Sequence, residues 1–216
     1  SWLACPLAMR DAPAAWQIPS GSTSRLAAVV DAGIRFDHPE VAPNLRTAVY
    51  DFVSERPGEV LPVCAGGSVS TSGDGDGYDP DPTIPNHFAW DELLECLFPR
   101  RIGGHGLHVA GTIGAVGTVG DNHVGVAPVV RIRPVRALGS KGGSDYDIAQ
   151  ALLYAAGLPA DDGADGLVQA AEGARIINAS LGGPGPPASV LENAVIAATE
   201  AGSLIIAAAG NDNVSD

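Results

Sequence analysis

The chain has 216 residues, 45% of them hydrophobic and 17% charged, a composition that suits one globular domain with a sizeable core and excludes a disordered chain. Twelve Lys and Arg stand against 25 Asp and Glu, a formal net charge of -13, so no basic stripe is available for phosphates and nucleic acid is not an expected partner. No apolar run approaches the roughly 20 residues that cross a bilayer, and the acidic balance fits a secreted protein or one that collects cations.

Residues 1–24 read as an irregular arm anchored by Trp2 and Trp16. The opening SWLACPLAMRDAP has no charged leader followed by a long apolar segment, so a mature or trimmed start is expected. Arg25 to Asp31, RLAAVVD, is a short apolar run of the kind that forms a buried parallel strand. Asp31 ends it, where open α/β sheets present their functional groups; a capping turn aspartate is the alternative. Thr47 to Val53 suggests a second strand.

From 54 to 103 the periodicity disappears, apart from a short possible helix around Trp90 to Leu97. Loops of this length are usually functional or tied down. Asp74, Asp76, Asp79 and Asp81 crowd into GDGDGYDPDP, and several carboxylates on a glycine-containing loop suit a structural calcium ion. The spacing departs from the helix–loop–helix calcium motif, because with Asp74 as position 1 of a twelve-residue loop the last position is Pro85 and not a glutamate. A solvated acidic loop is the competing reading. Cys64 and Cys96 flank this region and form a candidate disulfide for an oxidising compartment, with Cys5 left free or paired to another chain.

Gly103 to Ala115, GGHGLHVAGTIGA, places His105 between glycines at the start of a helical pattern. Glycine on both sides lets a substrate approach the ring, and histidine is the side chain suited to passing protons near neutral pH; an ordinary turn histidine is the competing reading of this stretch alone. A glycine-broken loop follows to Pro128. Val130 to Leu138 reads as a strand that Pro134 pushes towards a sheet margin or bend. Ser144 to Ala156 is helical, with Ser144, Asp145 and Asp147 in its first turn. Residues 157–173 form an acidic surface loop, Ala174 to Leu181 a strand, and Ser189 to Glu192 a capping box that opens a helix to about Ala201. Ser203 to Ala209 is a last buried strand, closed by Gly210 and Asn211. Strands alternating with amphipathic helices predict an α/β fold with a largely parallel sheet.

Asp31 and His105 together supply two-thirds of a nucleophilic triad, and the amide of Asn211 could donate to a developing oxyanion. At this point the sequence resembles the subtilisin-like serine proteases over most of residues 25–213. VVDAGIRFDHPEV (29–41) looks like the family's aspartate segment, GGHGLHVAGTIGA its histidine segment, INASLGG (177–183) its substrate-pairing strand, and AAAGNDN (207–213) its oxyanion-asparagine segment. VGVAP (124–128) and RIRPVRAL (131–138) follow in the family's order.

The resemblance implies a three-layer α/β sandwich around a mostly parallel sheet, incomplete at its C-terminal side. It implies a secreted serine endopeptidase with Asp31 as the orienting carboxylate, His105 as general base and Asn211 as oxyanion donor. Ser180, Leu181 and Gly182 would border a polypeptide substrate on one side, Gly142 and Gly143 on the other, the peptide adding a strand between them. In secreted members an insert such as 54–103 holds calcium and a disulfide; Glu40 and the 121–126 loop align with a second calcium region.

Three departures stand out. The Gly-Thr-Ser nucleophile segment occurs nowhere in the 216 residues, and Ser189, Ser203 and Ser215 lie in other contexts. Ala32 and Leu107 replace the family's hydroxyl residues beside the aspartate and histidine. The expectation is a protease whose serine is supplied by a removed segment or a second chain; the alternative is a catalytically inactive domain that binds peptide or calcium. A zinc site from His105, His108 and Asp31 is disfavoured, because metalloprotease helices space their histidines four apart with an intervening glutamate. His108 is expected packed on its helix, and His38, His87 and His123 at the surface.

Overall fold

Leu26–Asp31 (β1) is buried along its whole length in the computed structural model, which describes residues 14, 16–17, 21–55, 58–85, 88–91, 93–99, 104–117, 124–183, 185–186 and 188–211. Trp2, Cys5, His87, Gly103, Asp121 and His123 lie outside the described residues. Tyr50–Asp51 (β2), Arg131–Arg136 (β7), Ile176–Ala179 (β10) and Leu204–Ala207 (β11) join β1 in a five-stranded sheet of order β11-β10-β1-β7-β2. Every pairing in it is parallel, as the unbroken apolar runs predict.

Side-chain alternation divides this sheet into two cores. Leu26, Ala28 and Val30 face one core, which is closed by the helices Asp145–Ala155 (α2) and Ser189–Glu200 (α3). Ala27 and Val29 face the other, with Ala110 of the helix His105–Gly114 (α1), Val130 and Ile132. The result is the expected three-layer arrangement. Parity puts Asp31 on the α1 face, with Ala27 and Val29. On that same face Ile176, Leu204 and Ile206 stay 44%, 61% and 47% exposed, because α1 covers β1 and β7 but not the β10–β11 side.

Pro134 lies inside β7, opposite Val29, rather than at a margin. Alternation of the hydrogen bonds explains the tolerance. The Arg131 and Ala137 N–H groups donate to the Arg25 and Asp31 backbone carbonyls on the β1 side, whereas the Ile132 and Arg136 carbonyls accept from Arg46 and Phe52 on the other, so even-numbered residues of β7 turn their backbone groups away from β1. Pro134 therefore faces the gap between Arg46, which bonds Ile132, and the short β2, where no ladder hydrogen bond is lost.

The insert is more ordered than its sequence suggests. Val60–Pro62 (β3) pairs with Ser68–Ser70 (β4), and Phe88–Asp91 (β5) with Cys96–Pro99 (β6), both antiparallel. The helix expected around Trp90 to Leu97 is this second hairpin. Glu95, at φ 49°, turns the chain back, and Cys64 holds β6 extended through its backbone bond to Leu97 and its disulfide to Cys96 (Cα–Cα 5.2 Å). Ala160–Asp161 (β8) and Leu167–Val168 (β9) likewise pair inside the 157–173 loop. Ser144 caps α2 as expected, accepting from the Asp147 N–H at 3.0 Å. The capping box of α3 does not form: Ala188 is the N-cap, Ser189 already lies in the helix, and no side chain bonds the cap.

Candidate active site

Two elements bring Asp31 and His105 together. β1 ends at Asp31 on the α1 face, and α1 begins at His105. Glycine makes the approach possible: a Cβ on Gly106 would fall 2.4 Å from the Gly33 carbonyl oxygen and 3.1 Å from the Asp31 Cβ. The Asp31 side chain is 1% exposed, and both of its oxygens lie 2.8 Å from His105 Nδ1. Oδ1 also accepts from the Ala32 N–H at 2.7 Å. Burial raises the Asp31 carboxyl above its ordinary range, against the opposing pull of the Ala32 N–H and of His105. The histidine side chain is 59% exposed, with Nδ1 held by the carboxylate. A carboxylate that engages Nδ1 fixes the tautomer with Nε2 as acceptor and stabilises the imidazolium once Nε2 takes a proton.

Neither departure beside this pair disrupts it. Ala32 contributes its backbone N–H, and Leu107 is half-buried against the core on the α1 face of the sheet. His108 is exposed rather than packed.

The remaining predicted residues follow the carboxyl ends of the other strands. Asn211 is exposed four residues beyond β11. Ser180 follows β10 and donates its hydroxyl to Asn178 Oδ1 at 2.8 Å, with Leu181 half-buried and Gly182 open. Gly139 and Gly142, beyond β7, exchange backbone hydrogen bonds of 2.9 and 3.2 Å. Gly142 has φ +100°, and a Cβ on Gly143 would fall 2.2 Å from the Ala137 carbonyl. Because β10 and β7 flank β1, residues 180–182 and 142–143 lie on opposite sides of Asp31.

The four aspartates of the calcium expectation, Asp74, Asp76, Asp79 and Asp81, have separate partners in this structure. Among the described residues no three His, Cys, Asp or Glu side chains gather as metal ligands. Asp79 Oδ1 accepts from the Asp81 N–H at 2.8 Å, and Asp81 Oδ1 accepts from the Thr83 N–H at 3.0 Å, so these two cap turns. Asp76 leans on Asp74, and burial together with that neighbour raises its carboxyl. Asp74 is bonded instead to the guanidinium of Arg136, a partner that sequence reading missed. Its only signal was a charge inside the buried run RIRPVRAL. Arg136 is 1% exposed and also binds Asp51 Oδ2 and the Ser72 carbonyl. Beside the insert, a cavity of about 400 Å³ is lined by Glu55, Asp76, Tyr78, Asp147 and Asp161; Tyr78 donates to Asp147 Oδ1 at 2.7 Å. Among the described residues no helix is long and apolar enough to cross a membrane.

The chain matches the model of the subtilase family over residues 25–216. It is 34% identical over 206 residues to an extracellular protease of Xanthomonas campestris pv. campestris, covering 93% of this chain and 32% of the relative. It is 35% identical over 192 residues to an extracellular basic protease of Dichelobacter nodosus (86% and 28%), and 30% identical over 201 residues to thermitase of Thermoactinomyces vulgaris (93% and 52%). Among solved structures, a protease from Pseudoalteromonas arctica superposes with a TM-score of 0.76 at 32% identity, over 94% of this chain and 54% of that one. The chain thus spans about half, or less, of the length of these relatives.

Proposed function

Because the chain belongs to the subtilase family, we propose that it carries the aspartate and histidine of a serine endopeptidase and works with a serine supplied by polypeptide outside these 216 residues. The observation that carries this reading is the buried Asp31 carboxylate, 2.8 Å from Nδ1 of an exposed imidazole. In the proposed reaction Asp31 holds the His105 Nδ1–H, and Nε2 takes the proton of the serine hydroxyl as its oxygen attacks the scissile carbonyl. The Asn211 amide donates to the tetrahedral oxyanion. Protonated His105 then returns the proton to the leaving amine, and water repeats the sequence on the acyl-enzyme. The substrate polypeptide lies as a strand between residues 180–182 and 142–143, whose glycines admit backbone close to backbone.

The bare apolar face at Ile176, Leu204 and Ile206 supports this reading. It lies on the same side of the sheet as α1, so a serine-bearing segment that covered it would arrive on the side of His105. Secretion is part of the proposal, supported by the Cys64–Cys96 disulfide and by relatives that are extracellular proteases. The test is hydrolysis of a chromogenic peptide amide by the intact protein. His105→Ala is expected to lower kcat by about 10⁴-fold or more, the size of effect known for other triads. An unchanged rate in that variant would remove His105 from the chemistry. Peptide binding without any cleavage would favour the inactive peptide-binding alternative.

A further inference from the structure

Arg136 is a fully buried cation that the proposed chemistry does not use. It is in register with Asp31 on one side and Asp51 on the other, so it sits between two buried carboxylates on one face of the sheet. Its guanidinium turns to the second. Nη1 donates to Asp51 and Asp74, and Nη2 to the Ser72 carbonyl. A planar fork of donors can satisfy several oxygens in this way, whereas an ammonium is a point charge.

These contacts join three segments. Asp51 belongs to β2; Ser72 and Asp74 belong to the insert. The insert in turn packs on the loop after β7: a Cβ on Gly139 would fall 2.8 Å from the Thr71 carbonyl, and one on Gly73 would fall 3.2 Å from Ser140 Oγ. The charges balance only in part, since one guanidinium faces two carboxylates. Burial pushes the Asp74 carboxyl up, but the Arg136 charge and hydrogen bonds outweigh it and the net shift is downward. Burial pushes Asp51 up to about 7, even against Arg136.

We propose that Arg136 takes the place of a metal ion in this insert: it clamps residues 72–74 to β2, and through them the 139–142 loop that follows β7, so that the insert stays closed without calcium. Arg136 then acts on the fold of the insert and touches no reacting atom. The inference does not depend on the protease reading.

The test is amide hydrogen exchange on the intact protein, with and without EDTA and with calcium added back. Wild type is expected to show no change at Val53, Ser72, Gly75, Gly139 and Gly142 under any of these conditions. Arg136→Met is expected to speed exchange at those amides tenfold or more while leaving β10 and β11 unchanged, and Arg136→Lys to restore part of the protection. Asp74→Asn changes only the loop side of the clamp and should speed Ser72 and Gly75 alone, which keeps the test decisive if Arg136→Met fails to fold. Faster exchange at these amides in EDTA, reversed by calcium, would overturn the proposal. So would wild-type protection in both Arg136→Met and Asp74→Asn.

Discussion

Asp31 and Asp51 end strands on either side of β7, on one face of the sheet, and each is 1% exposed. Their partners separate them. Asp51 meets a guanidinium as buried as itself, whereas Asp31 meets an imidazole whose side chain is 59% exposed. A guanidinium and a carboxyl hydrogen-bonded out of reach of water hold neighbouring segments together and leave neither group open to an approaching molecule. A buried carboxylate that orients an exposed, titratable ring leaves that ring able to exchange protons with whatever approaches. Arg136 stands between the two, and the insert's hold on it leaves Asp31 to His105.

Exchanging the two carboxylates breaks the comparison most sharply. Asp31→Asn is expected to lower kcat of the intact protein by about 10⁴-fold with little loss of stability, because an amide N–H can donate to Nδ1 and hold the wrong tautomer, and no negative charge remains to stabilise the imidazolium. Asp51→Ala should do the reverse: a loss of about 3–5 kcal/mol of stability, from leaving Arg136 partly unpaired, with kcat per folded molecule retained. Peptide hydrolysis and urea unfolding of both variants check the pair, and equal effects on both quantities would erase the distinction. Gly106→Ala comes next. The added Cβ cannot coexist with the Gly33 carbonyl, so α1 must shift relative to Asp31, and kcat should fall about 10²-fold, the scale of a 1 Å misplacement.

The smallest effect is in pH. The folded Asp51 carboxyl keeps its proton to about 7 while the unfolded chain releases it near its ordinary value of 3.8, so its contribution to stability is full in acid and is lost as pH rises through 7. Asp31, also raised, adds a loss of the same sign as pH rises above the ordinary carboxylate range. Asp74 is lowered, so its contribution is full above the ordinary carboxylate range and is lost as pH falls. The two limbs predict greatest stability at mildly acidic pH in urea midpoints taken from pH 3 to 9. Asp51→Asn should flatten the fall between about pH 4 and 7 and spare the limb below it; a wild-type profile that rises throughout would contradict the assignment.

What could be read from the sequence was local. β1 and its terminal aspartate, the glycine-flanked His105, the Ser144 cap and the Cys64–Cys96 bridge each follow from a few adjacent residues or from redox chemistry. The clustered aspartates of the insert were legible as unneutralised charge, but the cation that answers Asp74 lies 62 residues further along the chain, where no local pattern reveals it. For the same reason calcium was the natural expectation. The hairpin at 88–99 was missed because its extended form is imposed from Cys64, in another segment. Pro134 looked like a sheet margin because the shortness of β2, which makes room for it, is a property of the pairing and not of the run itself.

The central claim is that Asp31 and His105 activate a serine that is none of those in this stretch of chain. Labelling the intact protein with a fluorophosphonate, followed by peptide mapping, tests it most directly. The account predicts one labelled serine outside residues 1–216 and loss of the label in His105→Ala. A label on Ser180, Ser189 or Ser203, or labelling that survives His105→Ala, would contradict it.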